Sequence, residues 1–335
     1  MFSLVAHFDI ELAGRCLIAW PEEEKIVIET KIDNFDISIQ FVPGSSSRWK
    51  KSNEKYLTKG YDQIVLKVAK DEPEAPPRAT PDEHGQIDYA KNDAFYRQRS
   101  EEYVAIARCC VDRLTRFFKY RLRNPILLEL NPEGSSYSIK QWTDQDGNRL
   151  HIGPFILTIK KTPGSFGEFG AKALDPDSFE LLKKALTKPV ETALYEEVFS
   201  DAQRAIIEDN FRRGVMELAI ACEIAVKNRF FAGGSPAGAA FEYLEDKSQV
   251  RATVLNLIDK IALEAFNRSF RNEQLKNYES IDFLFRCRNK VVHRGELCYR
   301  NDKGKKININ RAIITQWLDA ADALVSWLKE LEEKK

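Results

Sequence analysis

No run of about 18 or more apolar residues occurs in this 335-residue sequence, so no membrane-spanning helix is expected. The stretch from Met1 to Ile10 lacks both a basic segment and a long apolar core, so it does not read as a secretory leader, and the protein reads as cytoplasmic. Net charge is missing too, with 51 basic residues against 51 acidic. Any attraction for nucleic acid must therefore come from local clustering. No Cys-x-x-Cys pair exists and histidine is scarce, at four residues. The six cysteines (16, 109, 110, 222, 287 and 298) read as buried thiols of a reducing compartment, and no metal site is expected. The glycines of the 163–170 segment are followed by no Gly-Lys-Ser/Thr, which excludes a phosphate-binding loop, and no cofactor is expected. Internal repeats and low-complexity runs are also absent.

What is present suffices for a folded chain: 43% hydrophobic and 11% aromatic residues allow a real core. The length suits two domains. Alternation and β-branched content predict strands over Phe2–Leu12, Ile26–Ile32, Phe35–Val42 and Gln63–Val68. Four prolines among acids make 71–92 a loop or insertion. A helix follows from about Asp93 to Leu122, with Tyr103, Ile106, Cys110, Leu114, Phe117 and Arg121 spaced on one face, and Asn124-Pro125 ends it. Ser136–Thr143 and Arg149–Lys160 read as strands around an Asp146-Gly147-Asn148 turn. From about Asp175 strand signals stop. Helices are expected over Asp175–Leu186, Val190–Val198, Asp201–Phe230, Ala237–Leu244, Val250–Phe266, Tyr278–Arg294 and Arg311–Leu331. The expected architecture is an α+β domain over 1–170, mostly antiparallel strands plus one long helix, then an all-α helical bundle over 171–335, with the boundary near 165–175.

The stretch that carries chemistry runs from Ile281 to Glu296. Its apolar stripe is expected to hold Ile281, Leu284, Phe285 and Val292, with Val291 beside it, and Arg288 falls within the stripe. Burying an unpaired charge is costly. Arg288 therefore either snorkels outward or faces an anionic partner. His293 lies four residues after Asn289, within reach of an orienting hydrogen bond. Arg288 and His293 are five apart, roughly 140° around a regular helix, so they form no tight pair unless the helix loosens. Gly295 is a natural helix terminator. It leaves His293 in the last turn, where the negative end of the helix dipole favours an imidazolium suited to acid–base work.

Arg288-Asn289-Lys290-Val291-Val292-His293, followed by Arg294-Gly295, resembles the Arg-x4-His motif of HEPN domains in their form Arg-Asn-x-x-Val-His. The resemblance covers roughly 190–331, with one further helix after the motif. It implies a helical HEPN-like bundle and metal-independent cleavage of RNA, by attack of the 2′-hydroxyl on the adjacent phosphate to leave a 2′,3′-cyclic phosphate and a 5′-hydroxyl. It makes His293 the general base or acid, Arg288 the holder of the phosphate, and Asn289 the residue that positions either. It further implies a homodimer with a composite site, an RNA substrate such as tRNA or mRNA, and a toxin-type or antiphage defence role. The 1–170 domain would then sense an unknown trigger. Some members carry a tyrosine two residues after the histidine; Gly295 stands there in this chain.

Between 286 and 311 nine basic residues, among them Arg286, Lys290 and Arg294, face only Glu296 and Asp302. This cluster reads either as an RNA-binding surface or as a solvated loop. Glu223, in an otherwise apolar helix, either pairs with Arg288 or points to solvent. The 93–122 helix reads either as a nucleic-acid face with Phe117, Phe118 and Tyr120 for stacking or, as expected here, with the aromatics packed on the sheet and the arginines solvated. The competing readings are a non-catalytic HEPN domain that binds RNA or nucleotides or serves dimerisation, and a purely structural helical adaptor in which Arg288 is a salt-bridged core residue.

Overall fold

Strict alternation of buried and open residues builds the first element, strand β1 (Phe2–Trp20). Leu4, Ala6, Phe8 and Ile10 face the core, and Val5, His7 and Asp9 face away. The strand runs well past Leu12. Its register against β5 (Leu57–Glu72) shifts between Glu11 and Cys16, and a bulge there carries the chain on through Ala13-Gly14. Gly14 sits at φ 147° with a β-carbon position only 2.9 Å from Leu127 Cα, so no other residue fits without strain.

The computed structural model describes residues 2–21, 25–43, 50–51, 57–77, 90–127, 137–152, 172–188, 191–231 and 253–331. They belong to two units, Met1–Glu191 and Thr192–Lys335. The expected helix Ala237–Leu244, the 163–170 segment and most of the proline-rich stretch lie outside the described residues. Among those described, no helix is long and apolar enough to cross a membrane.

In the first unit an antiparallel sheet runs in the order β2 (Val27–Ile32), β3 (Phe35–Pro43), β5, β1, β6 (Gln141–Asp144), β7 (Arg149–Ile152), and β4 (Lys50–Lys51) pairs with β5. One face is covered by helix α1 (Ala90–Arg116), which continues as a π-turn over Phe117–Arg121. Tyr103 meets Phe35 and Trp142 edge-on, and Phe118 meets Phe41. These aromatics pack on the sheet, as expected. The arginines are not merely solvated: Arg99, for example, donates to buried Glu72, and Arg113 donates to the Leu186 carbonyl.

The composition shift near 165–175 is not where the units part. Leu174 bridges to Ile18 at the sheet, and Asp175 then caps helix α2 (Pro176–Thr187) through a reciprocal pair with Ser178, with Pro176 at the first helical position. Leu182, Ala185 and Leu186 of α2 belong to the core of the sheet unit. Periodicity marks α2 as a helix, but which unit it joins is decided by the core its apolar face completes.

The second unit is mostly helical. Helices α3 (Leu194–Ile207) and α4 (Phe211–Phe230) replace the expected Val190–Val198 and Asp201–Phe230. The break comes at Asp209, left-handed at φ 59°, and Asn210 caps α4. Gly214 allows the two helices to approach, since a β-carbon there would lie 2.7 Å from Ile206 Cγ1. Helix α5 occupies 254–266 with a π-turn at Leu257–Ile261. Short α6 (Phe270–Glu273), long α7 (Leu275–Arg294) and α8 (Arg311–Glu330) follow. Between α7 and α8 an unexpected antiparallel hairpin, β8 (Cys298–Arg300) and β9 (Lys306–Asn308), corrects the all-α expectation. Val215, Leu218, Cys222, Ile281, Leu284, Trp317, Leu324 and Trp327 are central to the core of this unit.

Candidate functional site

Helix α7 stays regular through Arg294. Gly295 takes the left-handed conformation at φ 66°, and its amide and that of Glu296 return to the carbonyls of Val291 and Lys290, which closes the last turn. The helix does not loosen at the motif.

Its buried line is Ser280, Ile281, Leu284 and Cys287, continued by half-buried Val291. The stripe is thus rotated from the expected one. Phe285 is only half-buried, Val292 is 47% exposed, and Cys287 takes the core position. Periodicity alone admitted both steps, because cysteine and arginine flank the same turn; the facing helices α4 and α8 decide for the smaller apolar group. Burial pushes the Cys287 thiol up to about 12, which makes it an inert packing residue.

Arg288 sits at the edge of this line, half-buried. Its Nη1 donates to Asn289 Oδ1 at 3.2 Å, while its Nε is shielded from solvent and has no acceptor among the described residues. A buried donor left without a partner costs about 1–3 kcal/mol. Asn289 is therefore turned toward Arg288 and not toward His293. His293 is exposed in the last turn and has no hydrogen-bond partner among the described residues. On a regular helix Arg288 and His293 point roughly 140° apart. One chain brings Arg288 and Asn289 together and leaves His293 on the solvent side.

The remaining candidates separate into two kinds. Arg286 was expected to bind RNA, but it is already engaged. It pairs with Asp282 one turn back, donates to Asp302 at 2.9 Å, and reaches the Arg300 carbonyl at 3.3 Å. These carboxylates, Asp282 foremost, hold its guanidinium above the ordinary value. Arg286 is a clamp that ties the hairpin to the helix, a role invisible in sequence because the hairpin was read as a loop. Phe283 stacking on Tyr299 at 4.7 Å, and Tyr299 against Trp317, complete that anchorage. Lys306 pairs with Glu296 at 3.1 Å and holds that carboxyl below its usual range. Lys290, Arg294, Lys303 and Lys305 form no ion pair among the described residues. Glu223 pairs with Lys227 one turn on, at 3.3 Å, and not with Arg288. Among the described residues no cluster of His, Cys, Asp or Glu has the arrangement of a metal site.

Compared with known proteins, the chain matches no family model, no curated protein and no solved structure. The chemistry of the motif helix is therefore argued from its geometry and from the resemblance of its residues.

Proposed function

We propose that the helical unit is a metal-independent endoribonuclease of the HEPN type, active as a dimer. One observation carries this reading: the half-exposed guanidinium of Arg288 bonds only to neighbouring Asn289 and to no carboxylate among the described residues, and a phosphate would supply a charge-assisted partner to its open edge. Lys290 and Arg294 on the motif helix and Lys303 and Lys305 in the hairpin turn form no ion pair among the described residues and favour a polyanionic substrate. Arg286 lies seven residues before His293, hence on the same side of the helix. The hairpin tip that it holds therefore extends the basic surface along the face that bears His293.

The 140° separation supports a composite site built from two chains. With the half-open strip of Phe285, Arg288 and Val292 shared between two copies, the arginine of one chain and the histidine of the other meet on one phosphate. One imidazole takes the proton of the 2′-hydroxyl as the new O–P bond forms. Protonated, it then delivers that proton to the departing 5′-oxygen as its bond to phosphorus breaks. Arg288 offsets the charge that grows on the phosphoryl oxygens. The setting we infer, a toxin-type or antiphage effector with RNA such as tRNA or mRNA as target and the sheet unit as sensor, rests on the resemblance alone.

A second reading is favoured by the bond between Asn289 and Arg288, which leaves His293 unoriented: a HEPN-like module that binds RNA without cutting it. One experiment separates them. Wild type and His293→Ala are incubated with mixed RNA and tRNA in EDTA, and the ends are analysed. Cleavage by wild type alone, leaving cyclic phosphates, supports the nuclease. RNA binding by both without cleavage supports the module, and equal cleavage by both overturns the role of His293.

A further inference from the structure

The face of the sheet turned away from α1 carries a polar row that the helical unit's chemistry does not use. Cross-strand register aligns Glu29, Ser38, Lys67, His7 and Gln141 side by side on β2, β3, β5, β1 and β6. The next row reads Lys31, Asp36, Ala69, Val5 and Thr143. Its two middle members are small, so the face is hollow there. The hollow is a cavity of ≈ 420 Å³, bounded by Glu29, Ser38, Lys67 and His7 of the polar row, by Asp36 and by the Thr143–Gly147 turn. That volume is in the range of small-molecule sites.

The charges over this cavity are not all spent. Asp36 pairs with Lys31 at 3.3 Å, and Asp9 pairs with Lys140. Asp144 is consumed within its own turn, where it accepts from the amides of Asp146 and Asn148 and from the Asn148 side chain. Lys67 has no acidic partner and the Ser38 hydroxyl no hydrogen-bond partner among the described residues. His7 is held by one ring nitrogen, Nε2 lying 2.9 Å from Thr143 Oγ1, so its orientation is set and the other nitrogen is left over. Ser38, Lys67 and His7 stand on three successive strands about 4.8 Å apart. The long lysine between two shorter groups lets all three reach one anion. Glu29, next along the row, has no partner among the described residues and accepts only hydrogen-bond donors, as polyol hydroxyls are.

We propose that this open sheet face binds a small anion-bearing polyol, a sugar phosphate or sugar carboxylate, with the anion on Lys67, Ser38 and His7 and the hydroxylated body in the hollow above Val5 and Ala69. The site gives the sheet unit a ligand of its own. It is independent of whether the helical unit cleaves RNA.

The test follows the His7 ring resonance by NMR in the full chain, at constant ionic strength. The probes are inorganic phosphate, ribose 5-phosphate and gluconate. A saturable shift is expected with at least one of the two polyols, and the stronger of the two identifies phosphate or carboxylate as the anion. Lys67→Met and Ser38→Ala should each weaken it by roughly tenfold. Ala69→Leu, which fills the hollow on an outward-facing position, should abolish polyol binding and spare inorganic phosphate. Absence of any saturable shift overturns the proposal, as does equal binding by wild type and a folded Lys67→Met variant.

Discussion

Arg288 is the residue on which structure and chemistry pull in opposite directions. Its Nε is buried without an acceptor, so folding gains nothing from that donor. Replacing it with methionine keeps the stem and removes the orphan. Arg288→Met should therefore raise stability in urea by about 1 kcal/mol and, under the proposed function, eliminate RNA cleavage. A loss of stability instead would show that the guanidinium is satisfied within the fold. His7 supplies a second prediction at this scale. Burial, followed by the nearby Lys67, lowers its proton affinity below the ordinary value of 6.5, with Asp9 opposing and Lys140 adding to the effect. The unfolded chain then binds the proton more readily than the folded one. The stability contribution of a neutral His7 is present above pH 6.5 and is lost as pH falls from there through the lower native value. Unfolding curves of wild type and His7→Gln should converge on acidification in this window; parallel curves would contradict the assignment.

At the scale of elements, the hairpin and the end of α7 depend on one another. Arg286 joins the helix to Asp302 and to the Arg300 carbonyl, so Arg286→Gln should release the hairpin without unfolding the bundle. Amide exchange over 298–308 should accelerate while the α4 and α8 amides stay protected. Salt should have a similar, weaker effect, because the pairs are exposed. Gly295 and Gly14 offer a contrast between two causes of strain. Gly295→Ala meets no neighbour and pays only for the left-handed backbone, about 1–2 kcal/mol. Gly14→Ala adds a clash with Leu127 to a backbone cost and should destabilise the sheet unit more. Thermal melts of the two variants compare them directly.

For the whole molecule the relevant division is between Glu191 and Thr192. A fragment ending at residue 170 would lose α2, and with it Leu182, Ala185 and Leu186 from the sheet core. A fragment of residues 1–191 should therefore melt cooperatively and at higher temperature than one of residues 1–170. The helical remainder from Thr192 should keep its own transition. Similar melting of the two N-terminal fragments would show that α2 contributes nothing to that core.

Composition, alternation and spacing alone determined the order of strands before helices, the long aromatic helix against a sheet, and the placement of Arg288, Asn289 and His293 on one late helix ended by Gly295. These are local properties: a period of two or 3.6 residues and a glycine stop are written into neighbouring residues. Only tertiary structure decided that β1 continues through a bulge, that α2 belongs to the sheet, and that Cys287 and not Arg288 fills the core line. It alone turned Arg286 from a candidate RNA ligand into a hairpin clamp and gave Glu223 to Lys227. The row of Ser38, Lys67 and His7 was illegible for the same reason. Its members are up to sixty residues apart in sequence, and they become neighbours only when hydrogen-bond register fixes which strands lie side by side and which face each side chain takes.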